Sequence, residues 1–287
     1  MNRYKNVVSK MSVAALLCLL PVLFAVQTPV AAETLDDKAV VAEAYQKMRA
    51  FKSYHMTVDT VMSMHGADVE IGSNVKGEID LMTKPMLAKT ELDVVTNAET
   101  AGGNKTTSKK ILQYVEETNN GIFMYTQADN QWKKQLLKSG GYDPLKEYEQ
   151  YSKGIKSVEK VSEDDDRAVF SVVIKGSYMK DVLSRQLPSL GLDKINLSAE
   201  ALNNISDVAY QLTLDKKSGA VSAIDMDLSS FIGEFGNSVA EAVDASPEKK
   251  QELRELFGSV SMTVHVEFSR FDAVEKFALP QELKALR

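Results

Sequence analysis

One cysteine and three histidines in 287 residues leave little material for thiol or metal chemistry. Cations are also too few for nucleic acid: 34 Lys and Arg stand against 40 Asp and Glu, a formal charge of −6, whereas neutralising phosphates needs concentrated positive charge. With 15 Gly and 7 Pro in a 44% hydrophobic chain, the collagenous, disulfide-rich and disordered classes are excluded as well. The sequence has no G-x-S-x-G elbow, no G-x-x-x-x-G-K-[ST] phosphate loop and no H-E-x-x-H pair. Beyond the N-terminus no long apolar run occurs, so no stable membrane span is expected there.

The N-terminus is different. Arg3, Lys5 and Lys10 precede Met11–Val26, a run that is apolar apart from Ser12 and broken only by Pro21, and Val30-Ala31-Ala32 supplies small residues for cleavage. This three-part pattern predicts a secretory signal over residues 1–32 and a mature domain over 33–287 outside the cytoplasm, periplasmic or secreted. An uncleaved anchor is the alternative, against which the run is shorter than the ~20 residues of a spanning helix. Cys18 sits mid-run after Leu16-Leu17, where a lipobox would place a small residue, so it is expected to leave with the signal. The mature chain would then hold no cysteine, and its charge would be −9, from 31 cations against 40 acids. At this size an ordinary hydrophobic core suffices for stability.

Periodicity divides the mature chain into elements. Thr34-Leu-Asp-Asp37 resembles a capping box, and Val41, Ala44, Tyr45 and Met48 recur at helical spacing up to about Lys52. From Tyr54 the period becomes two: Tyr54, Met56, Val58, Met62 and Met64 alternate with polar neighbours, which predicts a strand, and a second strand spans Val69 to Thr83. Gly72 and Gly77 within it suggest bends or bulges. Further strands are expected at 86–96, 110–116, 122–126 and 131–137, with 97–107 as a polar loop. Hairpins are expected at 156–161 with 167–175 and at 207–214 with 220–228, and a last strand at 259–271. Helices are expected at 143–152, 177–187, 198–205 and from Ser246-Pro247 to Phe257. Short connections argue for an antiparallel sheet, and with no Pro/Gly/Ser linker and no composition shift the mature chain reads as one α+β domain.

Candidate chemistry is sparse. His55 and His65 lie ten residues apart on the face of one strand expected to be exposed, roughly 33 Å if straight, and His265 stands on the polar face of the last strand. None has the partners of a zinc site, which takes three or four ligands, and no metal or cofactor is expected. Ser-x-x-Lys occurs at Ser73, Ser157, Ser177 and Ser246, and Lys217-Ser218-Gly219 is also present, but the spacing is too short for the helical domain of cell-wall serine enzymes. The run Glu163–Asp166 lacks the central Gly and distal Glu of a calcium loop. The feature in excess is methionine: twelve in all, with Met56, Met62 and Met64 on one strand face. Such residues either fill gaps in a core or line an adaptable apolar cavity, and the pattern leaves both open.

The phrases Ala-Phe-Lys-Ser-Tyr-His-Met (50–56), Gly-Ile-Phe-Met-Tyr with Gln-Trp-Lys-Lys (121–134) and Tyr-Gln-Leu-Thr-Leu-Asp-Lys-Lys-Ser-Gly (210–219) resemble, in their order along an exported chain, the LolA/LppX-like bacterial extracytoplasmic proteins and their lipoprotein-like relatives. The resemblance implies a strongly curved antiparallel sheet, an unclosed β-barrel, with helices on its concave side. It also implies that this side binds acyl chains or lipid anchors. The missing lipobox departs from the membrane-tethered relatives and suits a soluble carrier.

The expectation is therefore a non-enzymatic extracytoplasmic protein that holds a hydrophobic ligand or lipid between sheet and helices. From strand parity the cavity candidates are Met56, Val58, Met62, Ile79, Leu81 and Phe123. The alternative is an envelope-associated module with a filled core whose surface binds another protein. An enzyme is the third class, for which no nucleophile and base pair can be named.

Overall fold

The computed structural model describes residues 36–66, 69–100, 103–128, 131–139, 154–179, 205–243 and 245–285. The expected signal, the helix at 143–152 and most of the helices at 177–187 and 198–205 lie outside them. Helix α1 (Asp37–Ala50) opens on Asp36, whose carboxylate accepts the Ala39 N–H, so the cap is two residues later than the Thr34 box suggests. Its buried stripe is Val41, Ala44, Tyr45 and Met48, as the spacing requires.

Eleven strands then form one antiparallel sheet. β1 (Ser53–Gly66), β2 (Val69–Thr83), β3 (Met86–Thr100), β4 (Gly103–Thr118), β5 (Gly121–Ala128) and β6 (Gln131–Ser139) make one meander. β7 (Ile155–Glu163), β8 (Arg167–Ile174), β9 (Val208–Asp215), β10 (Ala220–Asp227) and β11 (Ser261–Ser269) make a second. The order β6-β5-β4-β3-β2-β1-β11-β10-β9-β8-β7 joins the two where β11 pairs with β1, from His55 opposite Ser269 to Ser63 opposite Ser261. The strands at the two ends, β6 and β7, do not pair with each other, so the sheet is an unclosed barrel. Between β10 and β11 run α2 (Ser229–Ala242) and α3 (Pro247–Gly258); α4 (Gln281–Lys284) is a single turn near the C-terminus.

Three local expectations are corrected. Residues 97–100 and 103–107 are strand, because β3 and β4 stay paired from Leu87 opposite Glu116 to Thr100 opposite Gly103. Gly72 and Gly77 mark no bulge: β2 keeps register with both neighbours along its length. Gly77 instead makes room, since a Cβ there would lie 2.7 Å from Leu92 Cδ2. The helix at Ser229–Ala242 has no counterpart among the expected elements. It contains Gly233 and Gly236, poor helix formers, yet Gly236 lets α3 approach so closely that a Cβ would stand 2.0 Å from Phe257.

One face of the sheet carries the main core. Tyr54, Met56, Val58, Met62 and Met64 of β1 meet Ile71, Val75, Ile79 and Leu81 of β2, then Ala88, Leu92, Val94 and Ala98 of β3. On the other meander Val264, Ile224, Leu212 and Phe170 continue the same layer, and the α1 stripe belongs to it. This is the inner face. The helices are set chiefly against β1, β7, β10 and β11; among the described residues none packs on β2–β4 to a similar extent.

Candidate functional site

Register assigns every expected cavity residue to a face, because residues directly opposite in an antiparallel pair project to the same side. Met56 pairs with Ile79, Tyr54 with Leu81 and Val58 with Gly77, so Met56, Val58, Met62, Ile79 and Leu81 share the inner face, all within one buried cluster. Phe123 does not join them. Tyr114 lies opposite Lys89 on β3 and Tyr125 on β5, which puts Tyr114, Tyr125 and Phe123 on the outer face with Leu87 and Trp132.

Along the strands the inner face mixes apolar rows with buried polar positions, Thr90 opposite Gln113 among them. At the end where β1 begins, Tyr54, Leu81 and Ala88 form an apolar row. Nearer the tips of the long hairpins come Thr60 opposite Val75 and Val264, then Ser73 opposite Thr96. Lys109 and Lys105 of β4 stand opposite Val94 and Ala98 and so belong to the inner face, although both are exposed. They lie on the stretch of β4 beyond its pairing with β5, which begins only at Leu112. Thr60 stands out: it is 1% exposed, and its Oγ1 makes no hydrogen bond to any described residue. A buried hydroxyl without a partner is costly, which makes it a marker worth explaining. Its sequence signal was the one aliphatic hydroxyl interrupting Tyr54-Met56-Val58 and Met62-Met64 at the apolar parity.

The outer face of β4–β6 has its own cover. After β11 the chain turns through Arg270 and Asp272, both with positive φ, and Asp272 and Val274 are held by Ser53: Asp272 N–H donates to its carbonyl at 2.8 Å and Val274 N–H to its hydroxyl at 3.3 Å. Two left-handed non-glycine residues so close together mark a turn imposed by these contacts. Phe277, Leu279 and Leu283 then lie over Tyr114, Tyr125, Leu87, Leu112 and Trp132, and Trp132 Nε1 donates to Glu282 at 3.2 Å. Beneath them the buried Tyr125 hydroxyl donates to Glu116 at 2.6 Å, and Lys134 Nζ lies 4.4 Å from the Phe123 ring centre. Burial raises the Tyr114 pKa above its ordinary value. So Phe123 belongs to a second, smaller core.

The histidines divide. His65 is exposed, 3.1 Å from Glu70. His55, expected in solvent, is buried on the outer face at 8% exposure, because Arg270 folds back onto it and onto Asp80; His55 Nδ1 lies 2.7 Å from Asp80 and Arg270 Nη2 donates to Asp80 at 2.8 Å. His265 Nδ1 lies 2.6 Å from Asp225, with Nε2 3.3 Å from Glu267, and these carboxylates, Asp225 first, raise its pKa. A raised histidine pKa adds stability that is fully present below the unfolded value of about 6.5 and is lost as pH rises through the folded one. An NMR titration of the His265 ring is expected to give a midpoint above 6.5, moved down by Asp225→Asn; a wild-type midpoint at or below 6.5 contradicts the ion pair.

The serine motifs are dispersed. Ser73 and Lys76 lie on opposite faces of β2, Ser246 caps α3 by accepting the Lys249 N–H, and the Ser218 hydroxyl donates to Asp215 at 2.6 Å in a hairpin turn. The acidic run closes the β7–β8 hairpin. Asp164 accepts the Asp166 and Arg167 N–H groups, while Glu163 meets Lys160 and Lys216, which hold its pKa down at about 2. Among the described residues no cluster of three His, Cys, Asp or Glu could hold a metal ion, and no helix is long and apolar enough to cross a membrane.

Comparison with known proteins adds a family. No curated protein matches the chain in sequence. Among solved structures, a β-barrel-like protein of the DUF1849 domain of unknown function from Brucella abortus is similar at 10% identity and a TM-score of 0.25, covering 76% of this chain and 98% of its own. A DUF1329 family protein from Desulfovibrio piger is similar at 9% identity and a TM-score of 0.23, covering 84% of this chain and 94% of its own. The DUF6612 family model, described as a family of unknown function, matches residues 36–286, and the chain therefore belongs to the DUF6612 family.

Proposed function

We propose that this protein is a non-enzymatic extracytoplasmic carrier that holds the apolar chain of a lipid against the inner face of β2–β4, in the manner of the LolA/LppX-like group its sequence resembles. The observation that carries the reading is an unclosed sheet whose helices, among the described residues, lie chiefly on β1, β7, β10 and β11, beside a mostly apolar inner face on β2 and β3 that Ser73, Thr90 and Thr96 interrupt. An acyl chain laid there loses its apolar area to water at about 25 cal/mol per Å². The neighbouring Met56, Met62 and Met64 are unbranched and can repack around chains of different shape. Export after cleavage near Ala32 would place the carrier among lipids.

A second reading has its own support. Leu92 fills the space left by Gly77, and Met56, Val75, Ile79 and Leu81 are at most 2% exposed, which favours a filled core and a protein-binding surface. Titration with a fluorescent fatty acid separates the two. The carrier reading expects saturable uptake that Leu92→Trp abolishes and Leu136→Ser, at an exposed position on edge strand β6, leaves intact. Absence of uptake by the wild-type protein would instead select the protein-binding module.

A further inference from the structure

The two outermost strands of the sheet carry devices that keep an edge from pairing with another chain. β6 slips register between its partners Ile122 and Phe123. β7 slips twice against β8, and its Lys160 N–H donates to the Asp37 carboxylate of α1 at 2.8 Å. A third edge lacks these devices. β5 pairs with β4 only from Leu112 onward, so Gly103–Ile111 of β4 has β3 on one side and no described strand on the other. That edge runs roughly 30 Å at the usual rise, with no proline and no register slip against β3.

Core packing does not account for this stretch. Gly103 to Lys110 are all exposed, whichever face they project to, whereas buried residues begin at Ile111. The fold therefore orders this backbone without burying an apolar side chain on it. Its hydrogen-bond phase follows from the turn at the other end of β4. The two-residue turn from Thr118 to Gly121 is closed by a hydrogen-bonded pair, so even-numbered residues of β4 bond toward β5 and odd-numbered ones toward β3. On the open stretch the backbone N–H and C=O groups of Asn104, Thr106, Ser108 and Lys110 point to the unpaired side.

Charge selects among the strands that fit there. From Gly103 to Ile111 there are three lysines and no acid, in a chain whose formal charge is −6. Lys105, Thr107 and Lys109 project to the inner face, where the β3 residues opposite them, Ala98, Thr96 and Val94, carry no charge. Lys110 projects to the outer face, 3.5 Å from Asp93. A second copy of the same edge would bring two sets of lysines to one seam, which like charges disfavour; an acidic strand gains from the same residues.

We infer that Gly103–Ile111 of β4 is a docking edge for an extended acidic segment of another protein, which adds to the sheet in line with β5 and sets its acidic side chains beside Lys105 on the inner face. Backbone bonds to Asn104, Thr106, Ser108 and Lys110 supply affinity, and the lysines supply selection. The inference stands apart from the lipid carrier, since it needs no ligand on the inner face.

The test uses the purified protein and three fluorescein-labelled decapeptides read by anisotropy: alternating Thr and Glu, alternating Thr and Lys, and the Thr-Glu sequence with every backbone nitrogen methylated. The wild-type protein is expected to bind the first about tenfold more tightly than either of the others. Ser108→Pro removes one N–H on the open side without touching a bond to β3; it should weaken the Thr-Glu peptide about tenfold and leave the melting temperature within about 4 °C. Lys105→Glu should weaken it about threefold, with a larger effect at low salt. Equal binding of the methylated peptide would show attraction by charge alone and overturn strand addition, and equal binding of the Thr-Lys peptide overturns the acidic partner. Unchanged affinity in Ser108→Pro, or in Lys105→Glu where the proline variant does not fold, overturns the placement on β4. Binding of none of the peptides overturns the inference and leaves the carrier reading as it was.

Discussion

Leu283→Ala is expected to cost about 2–5 kcal/mol in urea unfolding, although the residue lies in a single helical turn near the C-terminus. Leu283 is 0% exposed, against Tyr125 and Tyr114 on the outer face of the sheet. A four-residue helix has no stability of its own, so its docking must come from the packing of Phe277, Leu279 and Leu283. Replacing Leu283 by Asp places a carboxylate inside this apolar cluster and should release the segment. Trp132, the single tryptophan of the chain, donates to Glu282 and packs 6.0 Å from Tyr114, so it reports the release directly. Its emission should shift to the red in Leu283→Asp before global unfolding. A Leu283→Ala protein with wild-type stability and unchanged emission would show that residues 277–283 do not hold the outer face.

The second large effect is at Gly77 and Leu92. Gly77→Leu forces a side chain into the volume occupied by Leu92 Cδ2 and is expected to destabilise by about 1–3 kcal/mol, while Leu92→Ala opens a cavity costing about 2–5 kcal/mol. Combining them exchanges large for small across one cross-strand pair, Gly77 opposite Leu92. The double variant should therefore recover part of the loss, with a coupling of about 0.5–3 kcal/mol by double-mutant cycle. Additive losses would mean that the two positions do not share one packed site.

What the sequence disclosed depends on how local each signal is. The parity of Met56, Val58 and Met62 survives because period two is a property of the strand itself, and the buried stripe of α1 survives for the same reason at period 3.6. Residues 97–100 and 103–107 are illegible as strand because polar side chains occupy most positions there: Asn97 and Thr106 hydrogen-bond each other at 2.8 Å in solvent. Helix α2 is hidden by Gly233, Gly236 and its serines, whose worth lies in the approach of Phe257, twenty-one positions beyond Gly236. Parity misplaces Phe123 because residues 277–283 make both faces of β5 apolar, which erases the contrast that parity needs. His55 is buried by Arg270, 215 residues away, and no window around His55 contains that information. Thr60, by contrast, is visible as a break in an apolar alternation, and only its lack of a partner among the described residues needs the structure.

Native mass spectrometry of the protein isolated from its producing cell, without delipidation, tests the carrier account most directly. The account predicts a bound species of lipid mass that survives gentle desolvation and is recovered by solvent extraction. A protein that appears only at its bare mass, and that yields no lipid on extraction, would contradict it.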